Sequence, residues 1–344
     1  MKRFPLLAVA LAIAAAAEPP WDWGDAKDEW ASSGDFEASK AFCRKLRDRE
    51  PPGSDRPGSA AAAALKGCDS EALYYGIGMP ADPVRARQCA FLEAEGEDGG
   101  VFSGRTMLMT VYANGRGAKR DLDVATHLAC GLDGAPMESH GRVTHLAELE
   151  AKGWTGRDFH FCDDITSGLA MGYCAGHFAG IAGAGRESEL AARTGGWTVA
   201  EKQAFARLRQ AHDAYVEAHG SGEVDLSGTA RGAMVVEAQE AERDEFAGLL
   251  TTLSGGHRPP GGPAAYKAAD SKLNAAYRRR MRDTAPTESP EAVTREGIRD
   301  AQRTWLRYRD AFLAFAAVKF PQVDRAGLAA WLTEQRTETL APVE

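Results

Sequence analysis

The chain has 344 residues, 44% hydrophobic and 26% charged, a composition that excludes a disordered or low-complexity polypeptide. Its 49 Asp and Glu against 41 Lys and Arg give a formal net charge of −8, which speaks against a nucleic-acid binder. The charge is uneven: from Pro263 onward fourteen Lys and Arg face eleven Asp and Glu, so the acidity resides in the preceding part.

Lys2 and Arg3 precede the apolar run FPLLAVALAIAAAA, which reads as a signal peptide over residues 1–17, with Ala15 and Ala17 placed for cleavage before Glu18. The run is too short to span a bilayer as a helix, and an uncleaved amphipathic start is the competing reading. No cysteine stands at the cleavage point to accept a lipid, and no later segment holds eighteen consecutive apolar residues. The expectation is an exported bacterial protein, periplasmic or secreted, with no transmembrane segment in its mature chain. Its acidic surface would attract a basic protein partner in a salt-dependent way.

Residues 18–67 form an N-terminal segment with Trp21, Trp23 and Trp30 among prolines and acids, read as a loop folding back on the first, capping helices; an exposed aromatic clamp is the alternative. EASKAFCRKLRD has helical spacing and ends at the Pro and Gly cluster REPPGSDRPGS. All six cysteines, Cys43, Cys68, Cys89, Cys130, Cys162 and Cys174, lie in the first 174 residues, an even number suited to three disulfides in an oxidising compartment.

An internal repeat follows. At an offset of 39 residues, Gly76 superposes on Gly115, Gly78 on Gly117, Asp82 on Asp121, Ala86 on Ala125 and Ala90 on Ala129. The glycines permit a tight reversal between helices, the aspartates cap the second helix, and alanines four apart allow close helix approach. The segment resembles the Sel-one-like repeats, relatives of the tetratricopeptide repeat; the resemblance implies stacked antiparallel helix pairs over 68–157 that bind other proteins. In such a hairpin Cys68 and Cys89 sit at similar height, so a Cys68–Cys89 bridge is plausible, with Cys43–Cys130 completing the set. The alternative, Cys43–Cys68 with Cys89–Cys130, stays open. Cys162–Cys174, twelve residues apart, suits a bridge between a loop start and a helix.

Residues 158–253 read as long helices, one with Phe205, Leu208 and Tyr215 on a single side, and SGGHRPPGGP marks a linker at 254–263. Beyond it, Tyr266, Ala269, Leu273 and Ala276 form one helical seam, and Ile298, Ala301, Trp305, Tyr308, Phe312 and Phe315 form another. With a last helix containing Leu328, Trp331 and Leu332, residues 264–344 should form a three-helix bundle.

Within those helices, Ala269, Asp270, Leu273, Asn274 and Tyr277 are followed by Ala301, Gln302, Trp305, Tyr308, Arg309 and Asp310. This pairing of A-D-x-x-L-N-x-x-Y with A-Q-x-x-W-x-x-Y-R-D resembles the LprI-type lysozyme inhibitor domain. Members usually carry a cysteine after the R-D pair and another before the A-D helix; here Leu313 holds the first place and nothing fills the second. The middle region is similar to a degenerate copy: RQAHDAYVEAH aligns with RDAQRTWLRYR at an offset of 90, placing Ala211 on Ala301, Tyr215 on Trp305 and His219 on Arg309.

The expected fold is therefore all-α, a short helical-repeat region followed by one or two small helical bundles, disulfide-bonded in its N-terminal half. No catalytic, cofactor or metal motif stands out; His212 and His219, with Glu217, Glu223 and Asp225 nearby, are the one constellation that a metal site would use. Asp270 and Asn274 are expected to form hydrogen bonds and an ion pair with Gln302, Arg309 and Asp310 that fix helix register, with contact to a partner as the alternative. The resemblance implies no enzyme and no cofactor, but a protein that binds a partner in the cell envelope, in the first instance a basic lysozyme. A non-inhibitory scaffold using the repeats is the alternative function.

Overall fold

The computed structural model describes residues 21–96, 100–287, 289 and 291–341. The signal segment expected at 1–17 lies outside them. The described residues contain thirteen α-helices and no strand. The N-terminal helices are α1 (Glu37–Lys45), α2 (Ser59–Ala64), α3 (Ser70–Tyr75), α4 (Pro83–Ala94), α5 (Gly104–Asn114), α6 (Leu122–Cys130) and α7 (Pro136–Ala151). Longer helices follow: α8 (Gly168–Thr194), α9 (Val199–Gly222), α10 (Arg231–Ser254), α11 (Pro263–Asp283), α12 (Arg295–Lys319) and α13 (Arg325–Thr339).

The two glycine-containing stretches form two similar helical hairpins, α3–α4 and α5–α6. Gly76 and Gly115 end the first helix of each in the left-handed conformation, at φ of 80° and 59°. Asp82 and Asp121 cap the second, accepting from the backbone N–H of Arg85 and Val124. Gly78 and Gly117 complete the reversals at φ of 70° and 97°, and a Cβ at 117 would overlap the Pro83 carbonyl. Ala86, Ala90, Ala125 and Ala129 are fully buried where the helices touch.

Three disulfides hold this half: Cys43–Cys130, Cys68–Cys89 and Cys162–Cys174, with Cα–Cα separations of 5.6, 6.0 and 5.9 Å. The alternative pairing of Cys43 with Cys68 and Cys89 with Cys130 is excluded, because α1 lies against α6 and α7 while Cys68 faces α4. Trp23 folds back into the core, its Nε1 donating to Ser39 Oγ at 2.9 Å, whereas Trp30 is 82% exposed. One apolar core runs from Trp23 to Cys174.

A second core runs from Ala204 to Leu340 and is shared by the helices on both sides of the connection at 255–262. Within it α8 lies along α10, α11 along α13, and α9 along α12. The α9–α12 pair is antiparallel: Gly222 meets Gly297 at one end, with a Cβ at 222 only 2.8 Å from the Gly297 carbonyl oxygen, and Lys319 bonds Glu201 at the other. The aromatic seam Trp305, Tyr308, Phe312 and Phe315 is thus buried largely against α9, with Tyr308 stacked on Tyr215 at 5.8 Å. The expected three-helix bundle borrows a fourth helix from the preceding region.

Candidate functional site: a cleft between α11 and α12

Because α11 follows α13 and α12 follows α9, α11 and α12 make little backbone contact with each other. A cleft of about 370 Å³ lies between them. Asp270, Leu273, Asn274 and Tyr277 line one wall, spaced three, one and three residues apart so that all face one side of α11. Arg299, Gln302, Arg303 and Leu306 line the other. Leu306 is an exposed apolar residue on this wall.

This arrangement corrects the expected network. Asn274 Nδ2 donates to the Asp270 carbonyl at 2.8 Å and to Asp270 Oδ2 at 2.9 Å, one turn away on its own helix. Arg309 does not reach across to either: it donates to Asp310 Oδ1 and, at 3.2 Å, to the Tyr266 hydroxyl, with its guanidinium over the Trp305 ring. Arg309 thus joins α12 to Tyr266 of α11, whereas Asp270, Asn274 and Tyr277 make no bond to α12 among the described residues and line the cleft. Trp305 and Tyr308 are core residues.

Gln302 is held from behind. Its Oε1 accepts from Nε of Arg336 on α13 at 3.0 Å, and Arg336, fully buried, donates to both oxygens of Glu223 at 2.8 and 2.6 Å. Glu223 also accepts from His219 at 2.8 Å, and Tyr215 donates to Glu242 at 2.7 Å. Burial disfavours the Glu223 carboxylate, but the bonds from His219 and Arg336 hold it below the usual carboxylate range. Burial likewise opposes the Arg336 charge, and Tyr215, Glu223 and Glu242 more than restore it. Glu223 lies outside the C-terminal segment, so a residue of the middle region fixes a cleft residue.

The cleft has a basic rim. Arg299, Arg303 and Arg307 recur every four residues on the exposed side of α12, and Arg295 Nε donates to the Thr284 carbonyl, bringing exposed Arg278, Arg279 and Arg282 to the same end. Among the described residues, Arg303 has a weak local partner in Asp300 at 3.5 Å, and Arg299 and Arg307 have no ion pair. Arg299 lies off the apolar seam, and its four-residue spacing from Arg303 and Arg307 is the sequence signal that marks it. The histidines considered for a metal serve other contacts, His212 stacking on Phe246 and His219 bonding Glu223. Among the described residues the grouping with metal-ligand geometry is Cys68, Cys89 and Glu93, whose sulfurs are joined in a disulfide.

Compared with known proteins, residues 263–340 fit the family model described as lysozyme inhibitor LprI. No curated protein and no solved structure matches the chain. The segment that builds both walls of the cleft, and α13 behind them, is therefore the part of the chain that is similar to the LprI lysozyme-inhibitor family.

Proposed function

We propose that this is an exported, non-catalytic protein that inhibits lysozyme by docking on the enzyme through the α11–α12 cleft. One observation carries the reading: the family motif residues Asp270, Asn274 and Tyr277 line an accessible cleft instead of closing it. The cleft pairs an apolar floor, Leu273 and Leu306, with a guanidinium rim, the mixture from which interface anchors are made. Glycoside hydrolases work with a pair of carboxylates in the substrate groove, and Arg299 and Arg303 are suited to bind them. The acidity of the rest of the chain supplies long-range attraction to a basic enzyme. Three disulfides fit an oxidising, extracytoplasmic compartment, and no described helix is long and apolar enough to cross a membrane.

Turnover of a soluble oligosaccharide by egg-white lysozyme, titrated with the purified chain lacking residues 1–17, tests this. Competitive inhibition is expected, weakened about tenfold or more by Arg303→Glu, as for a contact worth at least 1.4 kcal/mol. Unchanged turnover at large excess removes the inhibitor reading. The exposed Met79 and Val84 beside the Gly76–Asp82 turn favour a second reading, a scaffold that holds another envelope protein on its Sel-one-like hairpins. Capture of one such protein by the whole chain, lost in Val84→Glu, would support it.

A further inference from the structure

The cleft between α11 and α12 has a counterpart. α8 lies along α10 as α11 lies along α13, and the middle helix of each trio, α9 or α12, packs antiparallel against the other. The offset of 90 visible in the sequence sets Leu208 on Ile298 and Tyr215 on Trp305, all four buried. The same offset carries Arg209, His212 and Asp213, which line a cleft of about 290 Å³ among α8, α9 and α10, onto Arg299, Gln302 and Arg303. On the facing wall an offset of 87 carries Arg186, Glu187 and Leu190 onto Leu273, Asn274 and Tyr277. Helix pairing, core positions and two of the cleft walls therefore correspond between 168–254 and 263–340; the third wall, Glu240, Arg243 and Phe246 on α10, has no counterpart from α13.

The two segments differ in charge. Residues 168–254 hold seven Lys and Arg against twelve Asp and Glu, whereas 263–340 hold fourteen against ten. In the cleft, Glu187 and Asp213 stand where the C-terminal segment has Asn274 and Arg303. The three arginines there are paired from within, Arg209 with Glu187 at 3.0 and 2.6 Å, Arg186 with Glu240 and Asp244, and Arg243 with Glu240 at 2.6 Å. Asp213, its side chain 67% exposed, remains as an open acidic rim charge beside His212.

We infer that residues 168–254 are a second, charge-inverted copy of the LprI module, and that its cleft is a second docking site for the same basic enzyme. One chain then holds two lysozyme molecules, the second through the enzyme's cationic surface. This rests on the inhibitor reading above. Charge complementarity selects the occupant: a net acidic module whose cleft guanidiniums are all paired with carboxylates and whose Asp213 is exposed attracts a cationic protein and repels an acidic one.

Titration calorimetry of the whole mature chain with egg-white lysozyme at low salt tests it. Two enzyme molecules per chain are expected. Asp213→Lys, a change at an exposed side chain, and the double variant Glu187→Lys/Asp213→Lys should each leave one, as should Tyr277→Ala/Arg303→Glu in the other cleft. Arg85→Glu on α4 should leave both. A wild-type stoichiometry of one, untouched by Asp213→Lys and abolished by Tyr277→Ala/Arg303→Glu, overturns the second site while the inhibitor reading stands. No binding by the wild type overturns both.

Discussion

At the scale of single residues, the buried Arg336–Glu223 pair ties the cleft to the rest of the molecule. Replacing one partner of such a pair strands the other without compensation, at about 3–5 kcal/mol. Glu223→Gln should therefore lower stability to urea by roughly that amount, whereas Asn274→Ala, at an exposed site, should change it by under about 0.5 kcal/mol. Two titrating groups make opposite demands. Burial, with His177 nearby, pushes His160 down to about 4; its Nδ1 accepts from the Cys162 N–H while Nε2 meets His177 Nε2 at 2.9 Å. The unfolded imidazole takes up a proton first, so this site loses stability as pH falls from about 6.5 towards 4. Burial, then Glu242 and Glu338, pushes Glu245 up to about 7. Its folded form keeps the proton, so its stabilisation is lost as pH rises from about 4.5 through 7. Thermal midpoints against pH should separate them: His160→Gln flattens the acid limb, and Glu245→Gln raises stability at pH 8 more than at pH 4. The motif positions were legible in the sequence. The partner of Arg336 was not, because Glu223 is 113 residues away and nothing local marks it.

Among elements, helices and caps follow local rules and are where sequence reading succeeded. Asp82 and Asp121 cap the helices expected of them, and the glycines at the turn of each hairpin take the left-handed conformations that the turns need. The α9–α12 crossing is different, since it depends on Gly222 meeting Gly297 from a distant part of the chain. Neither glycine is marked by the local sequence: Gly222 closes α9 and Gly297 lies in the first turn of α12, and neither takes a positive φ. A methyl group there would force the helices apart, and Gly297→Ala should cost about 1–3 kcal/mol in the manner of overpacking, measured by denaturant unfolding. The disulfides also act at this scale. Cys43–Cys130 closes a separation of 87 residues and Cys162–Cys174 one of 12. On chain entropy the first should stabilise by about 4–5 kcal/mol and the second by about 3, so Cys43→Ser/Cys130→Ser should lower the unfolding midpoint more than Cys162→Ser/Cys174→Ser.

For the whole molecule, the decisive fact is that the LprI segment shares its core with α9. Expressed alone, residues 263–340 would expose the Trp305, Tyr308, Phe312 and Phe315 seam and leave Arg336 without Glu223. Near-UV circular dichroism should show loose packing for that fragment and fixed packing for residues 195–341. By itself the sequence determined the all-α class, the repeated hairpins, the aromatic seam and the LprI resemblance, because periodicity, capping and turn chemistry are set by residues a few positions apart. Only the tertiary structure decided which cysteines pair, what the seam packs against, and that Asp270 and Asn274 border a cleft instead of a bonded joint. Those outcomes depend on which helix lies beside which, and two helices with apolar stripes of the same period can pack on any of several partners. The choice among them is made by close-packing and by buried charge, such as the Gly222–Gly297 approach and the Glu223–Arg336 pair, between residues far apart in the chain.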